Sequence, residues 1–165
     1  MKILQYLFIS LSHKILKILP YRLIRLLSVP IGTLYFLLTF RSSIKLFKRR
    51  KIFEKLKINY KPLIVKINYT RYWLETLWLT NKNFSKHITP HIEIENQEYV
   101  DKLKKQYPGL IFALPHLGNW EFAIPIGNSI KLNLLAVAEP LSNSYVLNWF
   151  KSLRESLGIE IIIGG

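Results

Sequence analysis

The chain has 165 residues, half of them hydrophobic, and 24 Lys and Arg against 10 Asp and Glu give a formal charge of +14. That length suffices for one buried core. With no cysteine, disulfides, thiolate metal sites and a cysteine nucleophile are excluded. The charge is uneven. Residues 1–90 carry 18 basic residues against Glu54 and Glu75, a balance of +16, whereas residues 91–165 carry 6 against 8 acids, a balance of −2. A basic front of this kind fits either nucleic acid or an anionic membrane.

Residues 1–40 predict membrane-associated helices, broken near Pro20 and Pro30. Ile3 to Leu11 is uncharged, and Leu26 to Phe40 is a run of 15 uncharged residues. A spanning helix takes about 20 apolar residues, so these runs fit a segment lying in the membrane interface, or a short re-entrant one. No small-residue cleavage pattern follows Leu11, which favours a retained anchor. The cluster Arg41, Lys45, Lys48, Arg49, Arg50, Lys51, Lys55 and Lys57 follows, suited to the cytoplasmic surface of an anionic leaflet. Nucleic-acid binding calls for aromatics interleaved with charge on a soluble fold. Here only Phe47, Phe53 and Tyr60 are interleaved, beside a strongly apolar neighbour. Anionic membrane lipids are the expected partner, and nucleic acid is not. The expected division is an anchor at residues 1–40 and an α/β domain at 41–165.

Residues 41–85 read as mostly helical, with Tyr69, Tyr72, Trp73 and Leu77 on one face for packing. Asn81, Lys82, Asn83 and Ser85 mark a loop. His91 to Glu95 alternates in the manner of a half-buried strand, and Val100 to Tyr107 predicts a helix. The apolar run Leu110–Leu114, bounded by Gly109 and Pro115, predicts a strand. A helix opens near Trp120, disturbed by Pro125 and Gly127. Leu134–Ala138 and Ile159–Ile163 predict two more strands, joined by a helix over Asn143–Leu157 that Gly158 caps. Alternating strands and helices predict an α/β layered fold with a largely parallel sheet. His13, His87 and His91 lack metal-ligand spacing, since Thr89-Pro90 interrupts any helix between the last two, so no metal is expected.

The turn Pro115-His116-Leu117-Gly118-Asn119-Trp120-Glu121 carries the chemistry. On one continuous helix, five residues rotate through about 500°, which points His116 and Glu121 apart. They meet most easily with His116 in the turn and Glu121 in the first helical turn, with Asn119 as the N-cap. A carboxylate bonded to one imidazole nitrogen leaves the other free to take a hydroxyl proton as general base.

This P-H-L-G-N-W-E string resembles the signature turn of the bacterial lipid A biosynthesis (lauroyl/myristoyl) acyltransferases and of the related phosphatidylinositol mannoside acyltransferases. Both resemble the wider glycerolipid acyltransferase superfamily with its H-x4-D/E motif. The likeness continues in Ala136-Val137-Ala138-Glu139-Pro140-Leu141 and Arg154-Glu155-Ser156-Leu157-Gly158, and more weakly in Tyr72-Trp73-Leu74-Glu75. It implies a glycerolipid-acyltransferase-like fold in which His116 is the general base and Glu121 its partner. The acyl group comes from an acyl carrier protein or coenzyme A thioester, as co-substrate, with no cofactor. The acceptor is a hydroxyl of a membrane glycolipid, either a lipid A precursor or a phosphatidylinositol mannoside. Glu139, Arg154 and Asn119 form the implied substrate-binding set, with Glu139 tilting the acceptor towards the mannoside branch. Arg154 resembles a basic residue that lines the site, suited to a phosphate or a developing negative charge. The implied location is the cytoplasmic face of the inner membrane. Resembling proteins are much longer, so the chain, stopping at Gly164-Gly165, is expected to be truncated, poorly soluble and weakly active alone. The alternative expectation is a non-catalytic, membrane-binding remnant of such an enzyme.

Overall fold

In the computed structural model, which describes residues 1–40, 55, 57, 61–115 and 117–164, the chain divides into two units, Met1–Leu79 and Thr80–Gly165. Most of the basic cluster, Arg41, Lys45, Lys48, Arg49, Arg50 and Lys51, lies outside the described residues.

The first unit contains α1 (Lys2–Leu16), α2 (Tyr21–Leu38) and α3 (Pro62–Trp78). Pro20 stands extended between the first two helices as the N-cap of α2, where its fixed φ fits and its missing N–H costs nothing. Pro62 opens α3 in the same way. Helices α2 and α3 run antiparallel. Tyr21 Oη donates to Glu75 Oε1 at 3.0 Å at one end of the pair, and the Tyr35 and Tyr69 rings stack at 6.2 Å towards the other. Between these points the buried residues of α2 are Ile24, Ser28 and Gly32, one per turn. A Cβ on Gly32 would lie 2.6 Å from the Ile67 Cα, so the two backbones touch. Trp78 is fully buried, donates its indole N–H to the Leu19 carbonyl at 2.8 Å, and packs against Tyr21 at 5.0 Å.

Pro30 does not break the helix, contrary to the sequence expectation; it sits inside α2 on an exposed face. The lost backbone bond faces away from α3, so packing along the other face holds the helix through it. By length and composition α2, with mean hydropathy 1.3, is long and apolar enough to cross a membrane. Its outer face and that of α1 expose Ile3, Leu4, Leu7, Phe8, Leu26 and Leu34.

The second unit contains α4 (Phe84–His87), α5 (Gln97–Gln106), α6 (Ala123–Ser129), β1 (Leu134–Ala138), α7 (Ser144–Glu155) and β2 (Ile159–Ile163), with 3-10 turns at Thr89–His91 and Trp120–Phe122. It is a mixed α/β unit whose sheet pairs β1 and β2 in parallel, from Leu134 opposite Ile159 to Ala138 opposite Ile163. Both strands and α7 fall where the sequence places them. Asn143 caps α7, its side chain accepting from Tyr145 N and Val146 N. Leu153 of α7 and Ile161 of β2 are buried, and α7 packs on that strand. On the same face of the sheet, Gly127 of α6 admits Leu134 so closely that a Cβ would meet its Cδ1 at 2.8 Å. Where α7 ends, Gly158 turns at φ +91°, and Asn128 at the end of α6 donates its side-chain N–H to the Leu157 carbonyl.

Two predicted strands are absent among the described residues. Leu110–Leu114 pairs with no ladder, and Ile111 is 100% exposed. A strand needs a neighbour's N–H and C=O groups, and apolar composition cannot supply one. His91–Glu95 is displaced by the 3-10 turn ending at His91 and by Asn96, which takes a left-handed φ of 57° at the start of α5. Its burial alternation survives, with Ile92 and Ile94 half-buried and Glu93 and Glu95 exposed, although no ladder forms.

Candidate functional site

Glu121 is one of the most deeply buried side chains of its unit, at 2% exposure. The local sequence puts it there. Gly118 takes a left-handed φ of 62°, a conformation that glycine adopts without a Cβ clash. Asn119 then caps the 3-10 turn Trp120–Phe122, its Oδ1 accepting from Glu121 N at 3.2 Å while its carbonyl accepts from Phe122 N. The turn so fixed directs Glu121 inward, while Phe122 packs edge-on against Phe84 at 5.6 Å.

A buried carboxylate needs a counter-charge, and Arg154 of α7 supplies it. Arg154 Nε donates to Glu121 Oε2 at 3.0 Å and a terminal guanidinium nitrogen donates to Oε1 at 2.5 Å, a bidentate pair. The guanidinium lies 5.5 Å from the centroid of the Phe150 ring, one helical turn earlier on α7. Phe150 and Arg154 stand four apart in a helix that the sequence already predicts, so this support was readable before the fold; the reach of Arg154 to Glu121 was not.

The structure therefore joins three of the five predicted site residues. Asn119 orients the backbone of Glu121, and Arg154 clamps its side chain. Glu139 directly follows β1 and is exposed, and among the described residues no bond links it to Glu121 or Arg154. His116 lies outside the described residues. Among the described residues no group of three or more His, Cys, Asp or Glu is placed to hold a metal ion.

Chemically, a carboxylate offers about four lone-pair directions, and a bidentate guanidinium takes two. Glu121 thus keeps capacity to accept from another donor while Arg154 holds its charge and direction. The guanidinium in turn has N–H donors beyond the two that it gives to Glu121.

No curated protein and no solved structure matches the chain. A sequence model of a family described as bacterial lipid A biosynthesis acyltransferase matches residues 1–163, a span that includes the turn, Glu139 and Arg154. On that near-complete match the chain belongs to the bacterial lipid A biosynthesis acyltransferase family.

Proposed function

We propose that the chain transfers a fatty acyl group from a carrier-protein or coenzyme A thioester to a hydroxyl of a membrane glycolipid, with His116 as general base. The observation that carries this reading is the buried Glu121 carboxylate, five residues beyond His116 and held by Arg154. In this mechanism Glu121 accepts one imidazole N–H of His116, which leaves the second nitrogen basic. That nitrogen takes the acceptor's hydroxyl proton as the oxygen attacks the thioester carbonyl carbon. The tetrahedral oxyanion collapses, the carbon–sulfur bond breaks, and the thiolate leaves with the proton from the imidazolium. The products are an ester and a free thiol. Glu139, after β1, belongs to the acceptor's binding surface in this reading, and the Arg154 guanidinium, held on Glu121, supplies the positive charge nearest the base pair.

The exposed apolar faces of α1 and α2, with the charge of +16 over residues 1–90, support an anchor lying in the interface of an anionic membrane. This fits action at the cytoplasmic face of the inner membrane. Membranes carrying the chain or its His116→Ala or Glu121→Gln variants are supplied with a labelled acyl thioester and glycolipid acceptor. Loss of labelled product in both variants is the expected result; equal product from His116→Ala removes that residue from the mechanism.

A second reading, a non-catalytic membrane-binding remnant, is favoured by the exposed apolar side chains of the two-stranded sheet, Leu135, Val137 and Ile162. The same assay separates the two, because a remnant gives no labelled product from any variant.

A further inference from the structure

The register of α2 on α3 brings two cations to one level. Tyr21 meets Glu75, and Gly32 meets Ile67, so the numbering rises on one helix as it falls on the other. One turn inward from the Tyr21–Glu75 bond stand Arg25 on α2 and Arg71 on α3. At about 100° of rotation per residue, Arg25 falls on the same side of α2 as Ser28 and Gly32. Arg71 likewise falls on the side of α3 that carries Ile67, Leu74 and Trp78, all buried. Both guanidinium charges act on the Tyr21 phenol, drawing its pKa down against the stronger upward push of burial and Glu75.

Arg25 is exposed at this level and Arg71 is half-buried, so an anion arriving from solvent can meet the first while it reaches the second. Arg71 also has a buried Nε with no hydrogen-bond partner among the described residues. A buried donor left unsatisfied costs about 1–3 kcal/mol, and more for a charged group. Glu75, one turn from both arginines, accepts the Tyr21 hydroxyl at 3.0 Å.

We propose that Arg25 and Arg71 form a phosphate-binding site on the α2–α3 seam, taking a phosphate monoester or diester between their guanidinium groups. A planar guanidinium binds phosphate through paired N–H donors, and two of them hold one phosphate in register with the helix pair. The site does not rest on the acyl-transfer reading, since no residue of the candidate active site belongs to it.

The test uses the full chain in nonionic detergent, with its thermal midpoint followed during titration. Phosphatidic acid, diacylglycerol and inorganic phosphate are the three probes; the first two differ only by the phosphate. The variants are Arg25→Gln, Arg71→Gln and Arg71→Lys, with Arg22→Gln as a control that removes an equally exposed charge farther round the same helix from the Ser28–Gly32 side. Loss of one charge-assisted bidentate contact raises the half-saturating phosphatidic acid about tenfold in Arg25→Gln and Arg71→Gln. Arg22→Gln then stays within about twofold, as a rim charge does. Arg71→Lys keeps the charge without the fork and falls between; with Arg25→Gln it carries the test where Arg71→Gln does not fold. A response to inorganic phosphate that disappears in Arg25→Gln identifies free phosphate as a sufficient ligand. A response to phosphatidic acid alone identifies a lipid head group. Equal half-saturation in Arg22→Gln, Arg25→Gln and Arg71→Lys, or equal shifts with diacylglycerol and phosphatidic acid, overturns the proposal.

Discussion

Arg154 reaches back 33 residues to hold both carboxylate oxygens of Glu121, and Glu121 is the far more buried partner, at 2% side-chain exposure against 24%. The acid of the H-x4-E turn is thus fixed from outside the turn. Burial makes the carboxylate directional, because it cannot turn towards water, and the guanidinium keeps the burial tolerable.

Arg154→Met leaves that carboxylate without its counter-charge, an expected loss of roughly 3 kcal/mol in unfolding free energy. The double variant Arg154→Met/Glu121→Gln recovers part of it, because no uncompensated charge remains inside. Thermal unfolding of the two variants and the parent decides this; a double variant as unstable as the single one shows that the pair contributes little.

Asn119 caps the turn through its side-chain oxygen. Asn119→Ala is expected to cost about 1 kcal/mol, and Asn119→Asp, which keeps an acceptor, a few tenths. Acyl transfer measured on both separates capping from substrate contact. Retained turnover in Asn119→Asp supports the cap, whereas loss with unchanged stability places the amide on the substrate.

Gly32 is where the α2 and α3 backbones meet. Gly32→Ala forces a Cβ to within 2.6 Å of the Ile67 Cα, so the helices must part. Overpacking of this kind costs roughly 1–3 kcal/mol. Gly109, with nothing within 4 Å of an added Cβ, is the control, and Gly109→Ala is expected to stay within about 0.5 kcal/mol. Equal melting of the two variants contradicts the close approach.

Burial and the neighbouring Glu75 carboxylate push the Tyr21 phenol up to about 12 from its ordinary 10.0. The folded state therefore holds this proton more tightly than the unfolded chain does. Its contribution to stability is complete below pH 10 and is lost as the pH rises towards 12. Tyr21→Phe lacks that term, so the stability difference between parent and variant narrows across this window. A difference that does not change with pH there removes the coupling.

The elements legible in the sequence are those defined by local signals. β1 and β2 are short apolar runs with their ends marked, and α7 is bounded by a capping Asn143 and a Gly158 that turns with positive φ. Relations between distant segments were not legible. Leu110–Leu114 has a strand's composition and no ladder, because pairing belongs to two segments together. Pro30 signals a break that packing on α3 overrides. At the site, the sequence marks Glu121, Asn119 and Arg154 separately, but no local spacing encodes a bond across 33 residues. His116, the residue with the clearest chemical signal in the sequence, lies outside the described residues.

The bond from Asn128 to the Leu157 carbonyl bears on how the strand pair is held. It clasps the last turn of one helix to the last turn of another just before Ile159 begins its strand, and a Cβ on Gly158 would meet the same Asn128 at 2.7 Å. The clasp thereby ties both helix ends to the point where Ile159 stands opposite Leu134, so the stopping places of the two helices and the alignment of the strands are held together.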